Sequence, residues 1–198
     1  MGSRAIANGD QSLTIIEFSR IGEGDNVVPM NNTKETSGAA APLSNVRVID
    51  MGQYIAGPGA AMVLAELGAQ VIKIEPLAGD QARHIGRYGE SMIRAYSRGK
   101  QSIALDLKSD AGREIAWRLI GDCDVLIQNL RPGAVEALGL GASMVRERFP
   151  KLIYLSISGF GDLGPSSERP GYDIAAQAES GLMSVTGEPD RLPQKVGV

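Results

Sequence analysis

The chain has 198 residues, of which 43% are hydrophobic and 22% charged, and this is enough for one domain with a buried core. Twenty basic against 23 acidic residues give a net charge of −3. That balance argues against nucleic-acid binding, which needs a strongly basic face. No apolar run approaches the ~20 residues of a membrane-spanning helix, so no membrane partner is expected.

The chain contains one cysteine, Cys123, and therefore cannot form an internal disulfide. A protein without disulfides fits a reducing compartment, and we expect a cytoplasmic location. Asp122 and Asp124 flank the thiol. Because neighbouring carboxylates raise a thiol pKa, Cys123 is not expected to act as a nucleophile.

Residues 1–44 are rich in Gly, Asn, Ser, Thr and Ala, and this composition predicts a flexible N-terminal extension. Within it, only residues 13–16 are apolar enough to form a short strand. Acidic side chains at Asp10, Glu17 and Glu23, without an apolar core, disfavour a signal or transit peptide.

From Val46 onward, short β-branched runs alternate with helical patterns. The pattern predicts strands over 46–50, 70–75, 102–106, 124–128 and 152–157, and helices over 58–67, 110–120, 132–139, 142–149 and 173–184. Ser109 is a suitable N-cap for the second of these helices, and Pro132 suits the first position of the third. Such alternation is typical of an α/β fold with an open, mostly parallel sheet flanked by helices.

The stretch from Val46 to Asp80 reads as a strand, a glycine-rich turn, a helix and a second strand. Gly57-Pro58-Gly59 interrupts the chain before the helix. A βαβ unit of this kind places a helix N-terminus at the carboxyl end of a parallel strand, where the phosphates of a ligand can approach the backbone.

Five blocks of the sequence resemble, in the same order, the family III CoA-transferases, the group of formyl-CoA transferase and the carnitine and bile-acid CoA-transferases. The first block is the 46–80 stretch. The other four are 102–108 (SIALDLK), 129–133 (NLRPG), 156–161 (SISGFG) and 169–173 (RPGYD), the last followed by 180–183 (SGLM). The resemblance covers about Leu43 to Val198.

The resemblance implies a Rossmann-like sheet within a protein of about twice this length that forms interlocked homodimers. We therefore expect residues 45–198 to be the N-terminal part of the large domain, with the second half absent. The chain is then either a fragment or a truncated product. The implied substrates are an acyl-CoA and a small carboxylic acid, with no metal.

The resemblance also implies which residues contact coenzyme A. Ile55 and Ala56 match the cofactor-contacting loop, Leu105 and Lys108 match the adenine and phosphate end, and Asn129, Leu130 and Arg131 match a segment that flanks the nucleotide. Two basic residues common in relatives are replaced by Pro76 and Ala137. Arg83 is a candidate to cover the missing charge.

Arg98 and Lys100 are further phosphate candidates from the residues alone, because they lie in a Ser-Arg-Gly-Lys turn beside a strand. For each basic residue, the alternative is a solvated surface charge.

In this family an aspartate attacks the acyl-CoA thioester, and an anhydride and an aspartyl-CoA thioester follow. The resemblance aligns that aspartate beyond Val198, so we expect the 198 residues alone to be inactive. Asp173 is a candidate for a supporting site role, for a helix-capping acid, or for a substitute nucleophile. The related α-methylacyl-CoA racemases carry a histidine where this chain has Tyr172, which favours a transferase.

Three other interpretations remain open at this point. A racemase-like enzyme is one. A dinucleotide-binding domain is another, since Glu75 stands where a ribose-binding acid would follow Gly57, although the third glycine of that motif is missing. A non-catalytic fragment or partner subunit is the third. The lone histidine, His84, is expected at the surface and offers neither a metal cluster nor a catalytic triad.

Overall fold

A computed structural model describes residues 40–197. Most of the predicted extension, including the strand predicted over 13–16, lies outside the described residues, as does Val198. The described part divides into two compact units, with the boundary along the chain between Ile157 and Ser158. No helix among residues 40–197 is long and apolar enough to cross a bilayer.

Residues 40–157 contain a five-stranded sheet in which every neighbouring pair is parallel. The strands are β1 (Arg47–Asp50), β2 (Gln70–Glu75), β3 (Gln101–Ala104), β4 (Val125–Gln128) and β5 (Ile153–Ser156). Their order is β3-β2-β1-β4-β5. The prediction of an open parallel α/β sheet is confirmed, and each predicted strand lies within two residues of an observed one.

The helices of the first unit connect these strands. They are α1 (Ala56–Glu66), α2 (Gly86–Tyr96), α3 (Asp110–Gly121), α4 (Ala134–Ala137) and α5 (Ala142–Arg148), with a 3₁₀ turn over Gln81–His84. Ser109 caps α3 as predicted, because its hydroxyl accepts a hydrogen bond from the Gly112 N–H at 3.0 Å.

Successive residues of β1 face opposite sides of the sheet, as the pleat of a strand requires. Val48 packs in a cluster with Ala61 of α1, whereas Ile49 packs in the cluster that contains Ile120 of α3. The sheet therefore has a hydrophobic core on each face, which is why its central strand is apolar on both sides.

One helix of the structure was not predicted, and two predicted helices are shorter than expected. Helix α2 was not predicted, because Gly86, Gly89 and several charges interrupt its sequence. The predicted 132–139 helix is only one turn, Ala134–Ala137, since Gly133 precedes it in the left-handed region with φ of 79°. Pro132 therefore lies outside that helix.

The second unit, residues 158–197, contains α6 (Asp173–Glu179) and a 3₁₀ turn over Leu182–Val185. The predicted helix over 173–184 is divided because Gly181 has a φ of 79°. Gln177 connects α6 to the following segment: its side chain exchanges hydrogen bonds of 2.8 Å with both backbone groups of Val196.

Two glycines, Gly52 in the loop after β1 and Gly57 at the start of α1, allow these two segments of backbone to approach each other closely. A Cβ atom on Gly52 would lie 2.8 Å from Gly57 Cα and 2.8 Å from Pro58 Cδ. A Cβ on Gly57 would meet Gly52 Cα at 2.8 Å. These atoms are backbone or ring atoms that cannot move aside, so any side chain would push the loop after β1 away from α1.

We predict that Gly52→Ala destabilises the chain by about 1–3 kcal/mol, because overpacking against fixed atoms forces the backbone to shift. Gly59→Ala, in the first turn of α1, is the control. Its Cβ would lie 3.5 Å from Tyr96, an ordinary contact, and alanine favours a helix by up to about 1 kcal/mol. Urea unfolding measures both variants, and equal stabilities would contradict the close approach.

Candidate functional site

The candidate site lies at the carboxyl ends of β1 and β4. From β1 the chain continues to β2 on one side, and from β4 it continues to β5 on the other. Ligands of open α/β sheets bind in the crevice at such a reversal of strand order. Two loops lie at this reversal: residues 51–55 follow β1, and residues 129–133 follow β4.

Asn129 fastens the two loops together. Its side-chain Oδ1 accepts a hydrogen bond of 2.7 Å from the Gln53 N–H, and its Nδ2 donates one of 2.9 Å to the Gln53 carbonyl. A side-chain amide that bonds the N–H and the carbonyl of one residue makes the two hydrogen bonds that a neighbouring strand would otherwise supply. Asn129 therefore determines where the loop after β1 lies.

The structure places most of the predicted coenzyme A residues along one edge of the sheet. Ile55 and Ala56 follow β1, Leu105 and Lys108 follow β3, and Asn129, Leu130 and Arg131 follow β4. Lys108 and Arg131 are exposed, whereas Leu105 is 3% exposed and packs in the core. All of these loops leave the carboxyl ends of parallel strands, so they share that edge.

Two further basic candidates, Arg98 and Lys100, form ion pairs within the protein. Arg98 is exposed and forms an ion pair with Glu66 of α1. Lys100 is fully buried, and its ammonium donates hydrogen bonds to Asp50 Oδ2 at 2.7 Å and to the Pro58 carbonyl at 2.6 Å. We therefore assign Lys100 to the structural support of the site and leave it out of the proposed phosphate contacts.

Asp50, Lys73 and Lys100 have fully buried side chains that meet beneath the loop after β1. Lys73 Nζ lies 2.9 Å from Asp80 Oδ2 and 3.9 Å from Asp50 Oδ2, and it donates a hydrogen bond of 2.6 Å to the Gly52 carbonyl. The contact with Asp80 Oδ2 is an ion pair without hydrogen-bond geometry. Burial lowers the pKa of Lys100, and Asp50 opposes that effect.

Glu75, at the end of β2, continues this group of charges toward the surface. Its carboxylate accepts two hydrogen bonds of 2.7 Å from Arg83, one of 2.7 Å from the Ser102 hydroxyl and one of 2.7 Å from the Asp80 N–H. Burial alone would raise the pKa of Glu75, but these donors outweigh it and lower the pKa to about 2.

The Glu75 contacts bear on two sequence interpretations. Arg83 donates to Glu75 through Nε and Nη2, so this edge of its guanidinium is paired within the protein and is not available to a coenzyme A phosphate. Glu75 itself is 3% exposed. A ribose-binding acid must reach the ligand, and this arrangement therefore argues against the dinucleotide-binding interpretation.

We use the name ion network for six side chains that come from β1, β2, the segment after β2 and the residue before β3: Asp50, Lys73, Glu75, Asp80, Arg83 and Lys100. It contains three carboxylates and three cations, so its charges balance. Removing one partner from such a group would leave an uncompensated buried charge, which costs about 3–5 kcal/mol.

The loop above the ion network has an unusual backbone conformation at Tyr54, whose φ is 61°. A bulky residue rarely adopts this left-handed conformation, and it persists only where surrounding contacts impose it. The Tyr54 N–H donates to Asp80 Oδ1 at 3.2 Å, and its hydroxyl donates to Gln81 Oε1 at 2.8 Å.

Cys123 and His84 are not members of the ion network. The pKa of the Cys123 thiol is raised to about 11, primarily by burial, with a smaller contribution from Asp124. The prediction of an unreactive thiol stands, although its main cause is burial rather than the neighbouring acids.

The His84 ring is exposed and lies 3.0 Å from the Ala78 carbonyl. Among residues 40–197, no cluster of three or more His, Cys, Asp or Glu side chains is placed to hold a metal ion.

Asp173 belongs to the second unit, where it is the first residue of α6 and Tyr172 occupies the N-cap position. Its carboxylate is exposed and accepts a hydrogen bond of 2.6 Å from Gln177, one turn along the helix. Asp173 is therefore an acid in the first turn of the helix, where the positive end of the helix dipole stabilises a carboxylate. The supporting site role stays a prediction.

Sequence reasoning missed Asp50, Lys73 and Asp80 as residues that shape the site. A lysine inside the β-branched run Val71–Glu75 was a signal, because this run becomes a strand buried on both faces. A charge in such a strand must find a buried partner. The partners themselves could not be identified, since they lie in separate segments of the chain.

The chain belongs to CoA-transferase family III. The model of that family matches residues 43–198, which include both units of the structure. The chain is 44% identical over 168 residues to the succinate–glutarate CoA-transferase of Agrobacterium fabrum and 42% identical over 174 residues to the human succinyl-CoA:glutarate CoA-transferase. These alignments cover 79% and 85% of this chain but 42% and 38% of the two relatives.

A solved CaiB/BaiF family protein from Brucella suis resembles the structure with a TM-score of 0.76 and 41% sequence identity. The match covers 80% of this chain and 44% of that protein. The family and the fold implied by the sequence blocks are thus confirmed. The chain spans about two fifths of the length of the curated relatives described above.

We predict that Glu75 gives the folded chain a pH-dependent stability. Because its folded-state pKa of about 2 lies below the ordinary 4.5, its contribution is present above about pH 5 and is lost as the pH falls toward 2. The full contribution is about 3 kcal/mol. Urea unfolding between pH 6 and pH 2.5 should show that the advantage of the wild-type chain over Glu75→Gln shrinks with acidification.

Glu90→Gln is the matched control for this measurement. Glu90 forms an exposed ion pair with Arg94 on α2, and exposed pairs contribute between about 0 and 1 kcal/mol. Its removal should leave the pH dependence of the wild type almost unchanged. Identical pH profiles for the two variants would contradict the assignment to Glu75.

Proposed function

We propose that this chain carries the coenzyme A-binding part of an enzyme that moves CoA between an acyl-CoA and a small carboxylic acid. The observation that carries the proposal is the meeting of the loops 51–56 and 129–131 at the reversal of strand order, in a chain of CoA-transferase family III. Members of that family named for their activity exchange CoA between acids such as succinate and glutarate.

In the proposed complex, the adenine nucleotide lies along the edge formed by the ends of β3, β1 and β4. Exposed Lys108 and Arg131 supply positive charge for phosphate groups, and Leu130 supplies apolar surface beside them. Ile55 and Ala56 contact the cofactor where the loop enters α1. Coenzyme A needs this combination, because its phosphates are anionic while its adenine and pantetheine groups require apolar and amide contacts.

The proposed reaction proceeds through covalent catalysis by an aspartate. Its carboxylate attacks the thioester carbonyl, and the C–S bond breaks. CoA departs as the thiolate, and the acyl group remains on the aspartate as a mixed anhydride. The thiolate then attacks the aspartyl carbonyl, which releases the donor acid and forms an aspartyl-CoA thioester. The acceptor carboxylate repeats these two steps in reverse, so acceptor acyl-CoA is released and the aspartate is restored.

By resemblance the nucleophilic aspartate aligns beyond Val198, and Asp173 has a supporting role. We therefore expect the 198 residues to bind CoA without exchanging it, and we expect the whole enzyme to act as a homodimer. Backbone N–H groups near the reacting carbonyl would stabilise the oxyanions of each tetrahedral intermediate.

The proposal is tested by isothermal titration calorimetry of the 198-residue chain with CoA and, separately, with NAD. We expect CoA to bind with a Kd between about 1 µM and 1 mM, the range typical of enzyme substrates, and NAD to bind far more weakly. Lys108→Ala should weaken CoA binding by about tenfold, since one charge-assisted hydrogen bond is lost.

Lys151→Ala is the matched control for Lys108→Ala. Lys151 is also an exposed lysine of the first unit, but it precedes β5 and therefore lies at the amino edge of the sheet. Its replacement should leave CoA affinity unchanged. Preference for NAD over CoA, or equal losses in the two variants, would overturn the proposed site.

A second measurement concerns catalysis. The pure 198-residue chain, incubated with succinyl-CoA and glutarate, should form no glutaryl-CoA above the uncatalysed rate. Exchange that disappears in Asp173→Asn would contradict this expectation and make Asp173 the nucleophile. A chain that folds but neither binds CoA nor exchanges it would favour a non-catalytic partner subunit.

A further inference from the structure

We propose that the ion network is a positioning device that fixes the backbone of residues 52–58, the segment that presents Ile55 and Ala56 to coenzyme A. The inference rests on the proposed function for its ligand, but its geometry is independent of it. Asp50, Lys73, Asp80 and Lys100 are the positioning residues, and none of them is proposed to touch the substrate.

Each of these four side chains makes a direct contact with the backbone of that segment. Asp50 Oδ1 accepts from the Gly52 N–H at 2.8 Å, and Lys73 Nζ donates to the Gly52 carbonyl at 2.6 Å. Asp80 Oδ1 accepts from the Tyr54 N–H at 3.2 Å. Lys100 Nζ donates to the Pro58 carbonyl at 2.6 Å.

The backbone groups of Gly52–Tyr54 are thereby hydrogen-bonded to side chains from other elements. All three N–H groups donate to side-chain oxygens, those of Asp50, Asn129 and Asp80. This explains how Tyr54 keeps a φ of 61°, a conformation that surrounding contacts must impose. The conformation of the loop therefore depends on partners that lie beneath it.

Energetics favour a positioning role over a purely stabilising one. Replacing a buried ion pair by apolar residues of similar volume is often neutral or stabilising, because charges lose their hydration when they are buried. The fully buried Asp50, Lys73 and Lys100 side chains thus have little value as stabilisers alone. Their specific effect is on the conformation of the segment to which they are bonded.

The experiment compares the full chain with Lys100→Met and with the double variant Asp50→Asn/Lys100→Met. The single variant leaves the buried Asp50 carboxylate without its lysine, so we expect lower stability and weaker CoA binding. The double variant removes the unpaired charge while leaving the Pro58 carbonyl without its donor. We expect its resistance to urea to return toward that of the wild type.

The two roles differ in what happens to the loop of the double variant. Positioning predicts that the amides of residues 52–56 exchange with deuterium faster than in the wild type by about tenfold or more, and that CoA affinity falls by a similar factor. A purely stabilising role predicts that both properties recover together with stability.

Arg94→Met is the matched control, since Arg94 is a cation of the same unit whose ion pair with Glu90 is exposed. It should change neither loop exchange nor CoA affinity. Wild-type exchange of the 52–56 amides in the double variant would overturn the positioning role, as would failure of the double variant to fold, because the network would then act on the whole unit. Failure of the wild-type chain to bind CoA would instead overturn the proposed function, and the exchange measurement would still test the positioning role.

Discussion

Buried charge beneath the loop after β1 is the constraint on which the geometry of the candidate site depends. Three carboxylates and three cations from β1, β2, the segment after β2 and the residue before β3 balance one another there, and the side chains of Asp50, Lys73 and Lys100 are fully buried. Because a buried ion without a partner is costly, these groups tolerate few alternative arrangements. Because they hydrogen-bond to the backbone of Gly52, Tyr54 and Pro58, they also restrict the conformation of the loop.

The sheet supplies the second constraint. The order β3-β2-β1-β4-β5 places the ends of β1 and β4 side by side while their connections diverge, and ligands of open α/β sheets bind at such a reversal. Asn129 joins the loops that follow these two strands by bonding both backbone groups of Gln53. A rigid loop on one side and an exposed basic segment on the other suit a ligand that is part amide and part phosphate, which is the chemistry of coenzyme A.

The sequence predicted the sheet well because its strands are β-branched runs bounded by turn residues, and the helix beginning at Asp110 because Ser109 is an efficient cap. Helix α2 was missed although its buried Gly89, Met92 and Ile93 are spaced for one helical face, because glycines and charges obscured that pattern. The ion network could not be predicted: lysine is ordinarily exposed, and Lys100 meets a partner 50 residues away. For the same reason Lys100 was predicted to bind phosphate, whereas folding buries it beside Asp50.

The most direct test of this account is a CoA titration of the ¹⁵N-labelled 198-residue chain followed by amide chemical shifts. The account predicts that the amides of residues 53–56, 105–108 and 129–131 respond together and saturably, because they lie on loops at one edge of the sheet. Shifts confined to the opposite edge, around residues 122–124 and 149–152, would contradict it. So would shifts that respond to NAD in the same way as to CoA.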